Sequence, residues 1–544
     1  MIPKVVKQSL PEPKAPQDEV LSLHKKLEAY EIEIRLLREE NKLLKHKIFG
    51  SKSERYVEDD GSEQGSLFGE LSDTDDSESP ENTSETITVP AHTRKKRGRK
   101  PLPESLERMD IIHDISDKDK QCGCGCQMSR IGEATSERLQ IKPAVMWVER
   151  HIRYKYACKN CEGVDKAANS PTVKIAAVPV QLIAKSITTP SLLSHIIVGK
   201  FTDSLPFYRQ EQQFLRNGVN ISRGSMCNWT VKVAEKCQPL LELLQNQLLS
   251  GPLIQIDETV VQVLKEPDRD ADAKSYMWVF RGGTPGKPLI IYRYAPSRSG
   301  NVPKSYLGNY QGCIQTDGYS GYRFLDTCPG IVHAACWAHV RRKFYSIIQS
   351  IGKKKKKKSG IGKADHALKT IKTLYEIERK ADAEGLSPEE RIALRQSKSK
   401  PILIDFKEWL SETALVAPPQ SLLGKALNYT LGQWPRLLKY LEHSELTLDN
   451  NLAENAIRPF VIGRKNWLFS DQPGGADASA VFYGLVETAK ANQLEPYSYF
   501  LYLLDRLPLA VTEEDYLRLL PTTITAEDLN EYKTEYWKKN DLTD

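Results

Sequence analysis

At 544 residues the chain is long enough for three or more domains and too long for a single core. Its 40% hydrophobic and 27% charged content fits a soluble protein; with no apolar run of about 18 residues and no signal-length apolar core at the start, it predicts a cytoplasmic protein without a membrane span. The formal net charge of +6 conceals eleven acids and no Lys or Arg over residues 57–88, so the rest is strongly basic and favours a polyanionic partner.

Residues 23–48 carry apolar side chains at alternating steps of four and three. Leu27, Ile34, Asn41 and Ile48 take the a positions of a heptad, and Leu23, Tyr30, Leu37 and Leu44 the d positions. A parallel coiled-coil dimer is expected, with Asn41 setting the register. Residues 58–85 are acidic, Ser-rich and poor in aromatics, which makes them a linker. The following HTRKKRGRKPLP places Arg97 and Arg99 around a glycine, the build of an arm for a narrow minor groove, although a solvated basic linker reads equally well.

The ten cysteines of a reducing compartment are read first as metal ligands. Cys122, Cys124 and Cys126 stand in QCGCGCQM, and Cys158 and Cys161 in YACKNCEG. Two such knuckles about thirty residues apart suit tetrahedral structural Zn²⁺. Cys122, Cys124, Cys158 and Cys161 are the favoured ligands, with Cys126 a possible replacement in the crowded first knuckle. From residue 190 the pattern turns helical, and residues 205–244 read as helix, turn at Gly218, helix. Ser222 is placed to cap a second helix that buries Met226 and Trp229 and offers Arg223, Ser225 and Asn228 to a major groove.

LIQIDETVVQVLK, residues 253–265, has the β-branched density of a core strand with an acid in its middle. Alternation puts Asp257 on one face with Gln255 and Thr259 and sends Glu258 to the other. YMWVFR and LIIYRY continue an antiparallel meander; after a short helix near residues 303–307 come the strands CIQTD, ending at Asp317, and IVHAA. A three-strand meander followed by α-β-α-β alternation is the layout of a ribonuclease H-like fold, in which the first and fourth strands are neighbours. Asp257 would then face Asp317, and two carboxylates that close call for a cation such as Mg²⁺. The third acid is Glu454 in TLDNNLAENAIRPFVIGRKNW. Here Asp449 or Asn450 is expected to cap a helix, Leu452 and Ala456 to form its buried side, and Pro459 to limit its length. Asn451, Glu454 and Arg458 share the opposite face; the bland alternative is a Glu454–Arg458 salt bridge.

IDET, QTDGYSGY, HAACWAHVRRKF, LDNNLAENAIRPFVIGRKNWLF, KIFGSKSERY, RGRKPLP and the tail SAVFYGLVETAKANQLEPYSYFLYLLDRLP together resemble the bacterial insertion-sequence sixty-six (IS66) family of DDE transposases. The resemblance spans nearly the whole chain and departs at the crowded first knuckle and the lysine run 353–358. It implies a recombinase that binds the terminal inverted repeats of its element, cuts their 3′ ends and joins them to target DNA. It further implies two Mg²⁺ or Mn²⁺ ions, with Asp257 bridging them and Asp317 and Glu454 holding one each. Arg458, Arg464 and Lys465 would hold phosphates and Trp467 would stack on an unpaired base or lie in the core. Cys336 and His339 form a C-x-x-H pair, for which a packing or orienting role is preferred to a zinc site. Two small accessory proteins of the same element are expected partners.

The expected organisation is multidomain α+β. A coiled coil (1–56), a linker with its basic arm (57–105), a zinc-ribbon-like module (106–170) and a helix-turn-helix (180–248) precede an α/β ribonuclease H-like catalytic core (249–475). A helical insertion of about 346–443 and a helical C-terminal domain (476–544) complete it. The competing reading is a catalytically silent zinc and helix-turn-helix repressor derived from such a recombinase.

Overall fold

The computed structural model describes residues 17–49, 146–157, 173–175, 180–351 and 362–540. These divide into two compact units, residues 1–53 with 179–544, and residues 54–178. In the second, β1 (Lys155–Ala157) pairs antiparallel with β2 (Val173–Ile175). Arg97, Arg99, Cys122, Cys124, Cys126, Cys158, Cys161 and the lysine run 353–358 lie outside the described residues. No described helix is long and apolar enough to cross a membrane.

The larger unit opens with α1 (Gln17–Phe49), an unbroken helix through the heptad stretch. Leu27, Tyr30, Ile34, Leu37 and Leu44 are all exposed along it. Then come α2 (Pro190–Phe201), α3 (Phe207–Arg216), α4 (Arg223–Lys236) and α5 (Gln238–Leu249). The turn after α3 holds Gly218 at φ +79°, a left-handed backbone that favours glycine. The Ser222 hydroxyl accepts from the Ser225 N–H at 3.1 Å, the expected cap. Ile196, Phe214, Ile221 and Met226 close a small core among α2, α3 and α4, with Trp229 packed partly buried against it.

The central sheet has five strands, β3 (Leu253–Gln262), β4 (Lys274–Thr284), β5 (Lys287–Ala295), β6 (Gly312–Thr316) and β7 (Ile331–Ala335). Their spatial order is β5-β4-β3-β6-β7. β3, β4 and β5 form the antiparallel meander, while β6 lies parallel to both β3 and β7. Met277, Trp278, Val279 and Phe280 on β4 are all 0% exposed, so both faces of the sheet are covered there. α6 (Asn301–Leu307) leads into β6. Between β6 and β7 an α-helix was expected; the connection is instead a 3₁₀ segment, Ser320–Thr327, anchored by buried Tyr322 and Leu325.

After β7 come α7 (Trp337–Ile351), α8 (Lys363–Ala383), α9 (Pro388–Leu394), a five-residue π-turn (Arg395–Ser399), α10 (Lys400–Val416) and α11 (Leu422–Leu437). They bury Trp337, Phe344, Phe406, Leu427 and Trp434 together with Cys313 of β6, so the insertion has its own core against the β6–β7 edge. α12 (Asn451–Trp467) then crosses back to β3. Two expectations about it need correction. Pro459 lies inside the helix rather than ending it. The buried Ala453, Ala456, Ile457 and Phe460, with the Tyr292 hydroxyl donating to the Ala456 carbonyl, hold it through the break a proline would otherwise make. Leu452 is exposed, and Ala453 takes its place on the buried side.

α13 (Pro473–Ala491), α14 (Pro496–Arg506), α15 (Glu513–Arg518) and α16 (Ala526–Asn540) finish the chain. α13 lies on β5, where the Thr488 hydroxyl accepts from the Ile290 N–H and donates to the Ile290 carbonyl, each at 3.0 Å. Phe482, Tyr483, Phe500 and Leu503 share one core with the sheet and with α2, α4 and α5. These C-terminal helices are therefore part of what holds the sheet in place.

Candidate active site

Gln255 on β3 stands opposite Gln315 on β6. The Gln255 amide donates to Gln315 Oε1 at 2.8 Å and to the Asp449 carbonyl at 3.2 Å, and the Gln315 amide donates to the Thr447 carbonyl at 2.8 Å. These bonds stitch the segment before α12 onto one face of the sheet. Two residues beyond each glutamine, on that same face, come Asp257 and Asp317. The stitched segment starts α12 at Asn451, which puts Glu454 in the helix's first turn.

Asp257 senses the other two acids. Burial, then the neighbouring Glu258, and further the charges of Glu454 and Asp317, push the Asp257 carboxyl from its ordinary 3.8 up to about 8. The Glu258 N–H, donated to Asp257 Oδ1 at 2.9 Å, opposes this. Asp317 Oδ1 accepts the Tyr319 N–H at 2.8 Å. Glu258 has a different fate, as alternation requires: its side chain is 2% exposed, accepts from Arg298 Nε at 2.7 Å and is bonded by the Tyr322 hydroxyl. Burial raises its carboxyl while Tyr322 and Arg298 pull it down.

Glu454 does not pair with Arg458, which is exposed. Its Oε2 accepts from Arg342 Nη2 at 3.0 Å, and its Oε1 lies 3.6 Å from His339 Nδ1. Arg342 Nη1 is 3.3 Å from His339 Nε2. Arginine can only donate, so Nε2 accepts and Nδ1 carries the proton. At 3.6 Å that proton makes no hydrogen bond, and His339 Nδ1 and Glu454 Oε1 are both buried without a hydrogen-bond partner. Cys336, fully buried, completes a group with these two whose donor atoms all lie within 4.8 Å. Local pattern supplies neither a third member for the C-x-x-H pair nor a role for Arg342. Its position, three residues after His339 on the same helix face, was the available signal.

Asn450 adds to the unsatisfied set: it is 0% exposed, and neither its amide nitrogen nor its oxygen has a partner. It makes no side-chain cap; Asp449 Oδ1 instead accepts the Asn451 N–H at 3.1 Å, and Asp449 Oδ2 takes the Tyr375 hydroxyl at 2.6 Å. The carboxylates of Asp257 and Asp317 beside the partnerless buried oxygens of Glu454 and Asn450 form an oxygen-rich donor set that suits a hard divalent cation such as Mg²⁺. The remaining predicted residues are spread more widely. On α12, Lys465 is exposed and Arg464 half-buried, while Trp467 packs edge-on to Phe460 at 5.5 Å and lies under the Lys200 ammonium at 5.7 Å. On α4, Arg223 and Asn228 are exposed and Ser225 is half-buried against the Ser222 cap.

The profile described as Transposase IS66 family matches residues 185–478. Those described as Transposase C of IS166 homeodomain, zinc-finger binding domain of transposase IS66, and IS66 C-terminal element match residues 36–111, 119–162 and 484–522. The chain is similar to the uncharacterized protein y4jD of Sinorhizobium fredii, with 30% identity over 514 residues covering 91% of this chain and 96% of that protein. A second uncharacterized protein of that organism, y4qI, is 30% identical over 496 residues, covering 88% and 87%. No solved structure matches the chain.

Proposed function

The chain belongs to the IS66 family of transposases, and from that premise we propose that it binds the terminal inverted repeats of an insertion sequence, cuts their 3′ ends and joins them to target DNA. The observation that carries this reading is that buried Asp257 on β3 feels the charges of both Asp317, just past the end of the neighbouring parallel strand β6, and Glu454, in the first turn of α12. The strand order, with its meander on one side and parallel strands on the other, supports a ribonuclease H-like catalytic core.

Asp257, Asp317 and Glu454 would hold two Mg²⁺ or Mn²⁺ ions. When bound, the ions supply activation of a water or 3′-hydroxyl nucleophile and charge neutralisation at the leaving oxygen. The chain's own residues do the placing. Gln255 and Gln315 fix the segment that delivers Glu454. Arg342, itself bonded to His339, orients its carboxylate from the side, and Arg298 and Tyr322 keep Glu258 out of the set. Arg458, Arg464 and Lys465 hold phosphates on the exposed flank of α12, and Arg223, Ser225 and Asn228 read a major groove from α4. Trp467 lines the flank as a partly buried ring.

The exposed seam of α1 supports a parallel dimer, which suits the pairing of two DNA ends. The cysteine knuckles hold structural Zn²⁺, Arg97 and Arg99 reach a minor groove, and two small accessory proteins of the element complete the machinery in the bacterial cytoplasm. The test is strand cleavage on terminal-repeat DNA with Mg²⁺. Asp257→Asn, Asp317→Asn and Glu454→Gln should each lose ~10³-fold or more in rate while still binding the repeat. Unchanged cleavage by Asp257→Asn would remove the assignment.

A further inference from the structure

Away from the three acids, Cys313 at the start of β6 meets His443 and Glu445 from the segment that joins α11 to α12. The Cys313 sulfur, one imidazole nitrogen of His443 and one carboxylate oxygen of Glu445 all lie within 4.8 Å of one another. Sγ to Oε1 of Glu445 is 3.4 Å, and Nδ1 of His443 to that same Oε1 is 3.7 Å. We propose that Cys313, His443 and Glu445 form a binding site for one zinc-type ion, separate from the carboxylate centre.

The two contacts of Glu445 Oε1 have the spacing such an ion imposes. With Zn–S near ~2.3 Å and Zn–N and Zn–O near ~2.0–2.2 Å, tetrahedral ligand atoms stand roughly 3.3–3.8 Å apart. A protein-only account explains less: one oxygen is shared by a thiol and an imidazole, and the imidazole contact is too long for a hydrogen bond. A thiolate, an imidazole and one carboxylate also select zinc over magnesium, which takes oxygen donors. On binding, the Cys313 thiol gives its proton to solvent and its sulfur lone pair to the metal. Water fills the fourth position, since the His443 and Glu445 side chains remain 30% and 32% exposed.

The site is held ready from behind. Arg395, in the π-turn and 1% exposed, donates to the carbonyls of Tyr440, His443 and Leu446 at 2.7, 2.9 and 2.9 Å. The backbone that presents His443 and Glu445 is therefore fixed on both sides of them, and Cys313 sits in the strand core at 1% exposure. A metal there ties β6, which leads to Asp317, to the segment that leads to Glu454.

The experiment uses the full chain, stripped with chelator and reloaded with Zn²⁺, with metal counted by plasma mass spectrometry. His443→Ala and Glu445→Gln should each carry about one zinc fewer per chain than wild type, while His443→Cys, which supplies another zinc donor, keeps it. In hydrogen exchange, Zn²⁺ should slow residues 440–450 in wild type and His443→Cys but leave them unchanged in His443→Ala. Any zinc held by the cysteine knuckles is common to all these variants and drops out of the difference. Equal zinc in wild type, His443→Ala and Glu445→Gln, or loss of zinc from His443→Cys as well, would overturn the proposal.

Discussion

Two buried ionic clusters in this chain are built on opposite rules. In the helical insertion, Arg395 donates to Glu378 Oε1 at 2.9 Å and Oε2 at 2.7 Å as well as to three carbonyls, and Arg391 adds a bond to Glu378 Oε2 at 3.1 Å. Every charge there is answered inside the protein. Around Asp257, like charges face one another, one carboxyl is pushed up to about 8, and the amide of Asn450 and an oxygen of Glu454 lack partners. A cluster that serves stability closes its own charge; one that is left open at a cost is shaped for something that arrives from outside.

The contrast can be broken by substitution. Arg395→Met leaves the buried Glu378 carboxylate with Arg391 alone and strips three carbonyls of their donor, so unfolding by urea should show a loss of ~3–5 kcal/mol, and Arg395→Met with Glu378→Leu should recover part of it. Saturating Mg²⁺ should instead stabilise the open cluster, by ~2.7 kcal/mol at a hundredfold excess over Kd, and this gain should vanish in Asp257→Asn. Without metal, Asp257→Asn should raise stability by ~1–3 kcal/mol near neutral pH, since the folded state must there take up a proton on Asp257 that the unfolded chain has released.

The pH dependence has a fixed sign. The folded state holds the Asp257 proton more tightly than the unfolded chain does, so the contribution of this group to metal-free stability is greatest below the ordinary 3.8 and is lost as pH rises towards about 8. Asp257→Asn should flatten that slope in denaturation curves. The smallest effect marks the floor of the comparison. Lys372 and Glu376 form an exposed i,i+4 pair at 3.6 Å, and Lys372→Ala should cost no more than ~0.5 kcal/mol.

Much of the site was legible before any coordinates. The strict period of two in a strand separated Asp257 from Glu258, and their different partners follow it. The meander and the two later strands gave β3 and β6 as neighbours. What local pattern could not supply were contacts made across long stretches of chain. Arg395 reaches carbonyls more than forty residues away, and Arg342 meets Glu454 from the far side of the whole insertion. Pro459 misled for a related reason: its local preference is to end a helix, but the Tyr292 hydroxyl and the burial of Phe460, both tertiary, carry α12 through it. The cysteine knuckles and the basic arm lie outside the described residues and stay at the level of pattern.

The most direct measurement replaces a carboxylate by a softer ligand. Asp257→Cys should fail to cut terminal-repeat DNA with Mg²⁺ and regain part of its cleavage with Mn²⁺, because a thiolate accepts manganese far better than magnesium. Wild-type cleavage by Asp257→Cys with Mg²⁺ would contradict the account, since Asp257 would then hold no metal in the reaction.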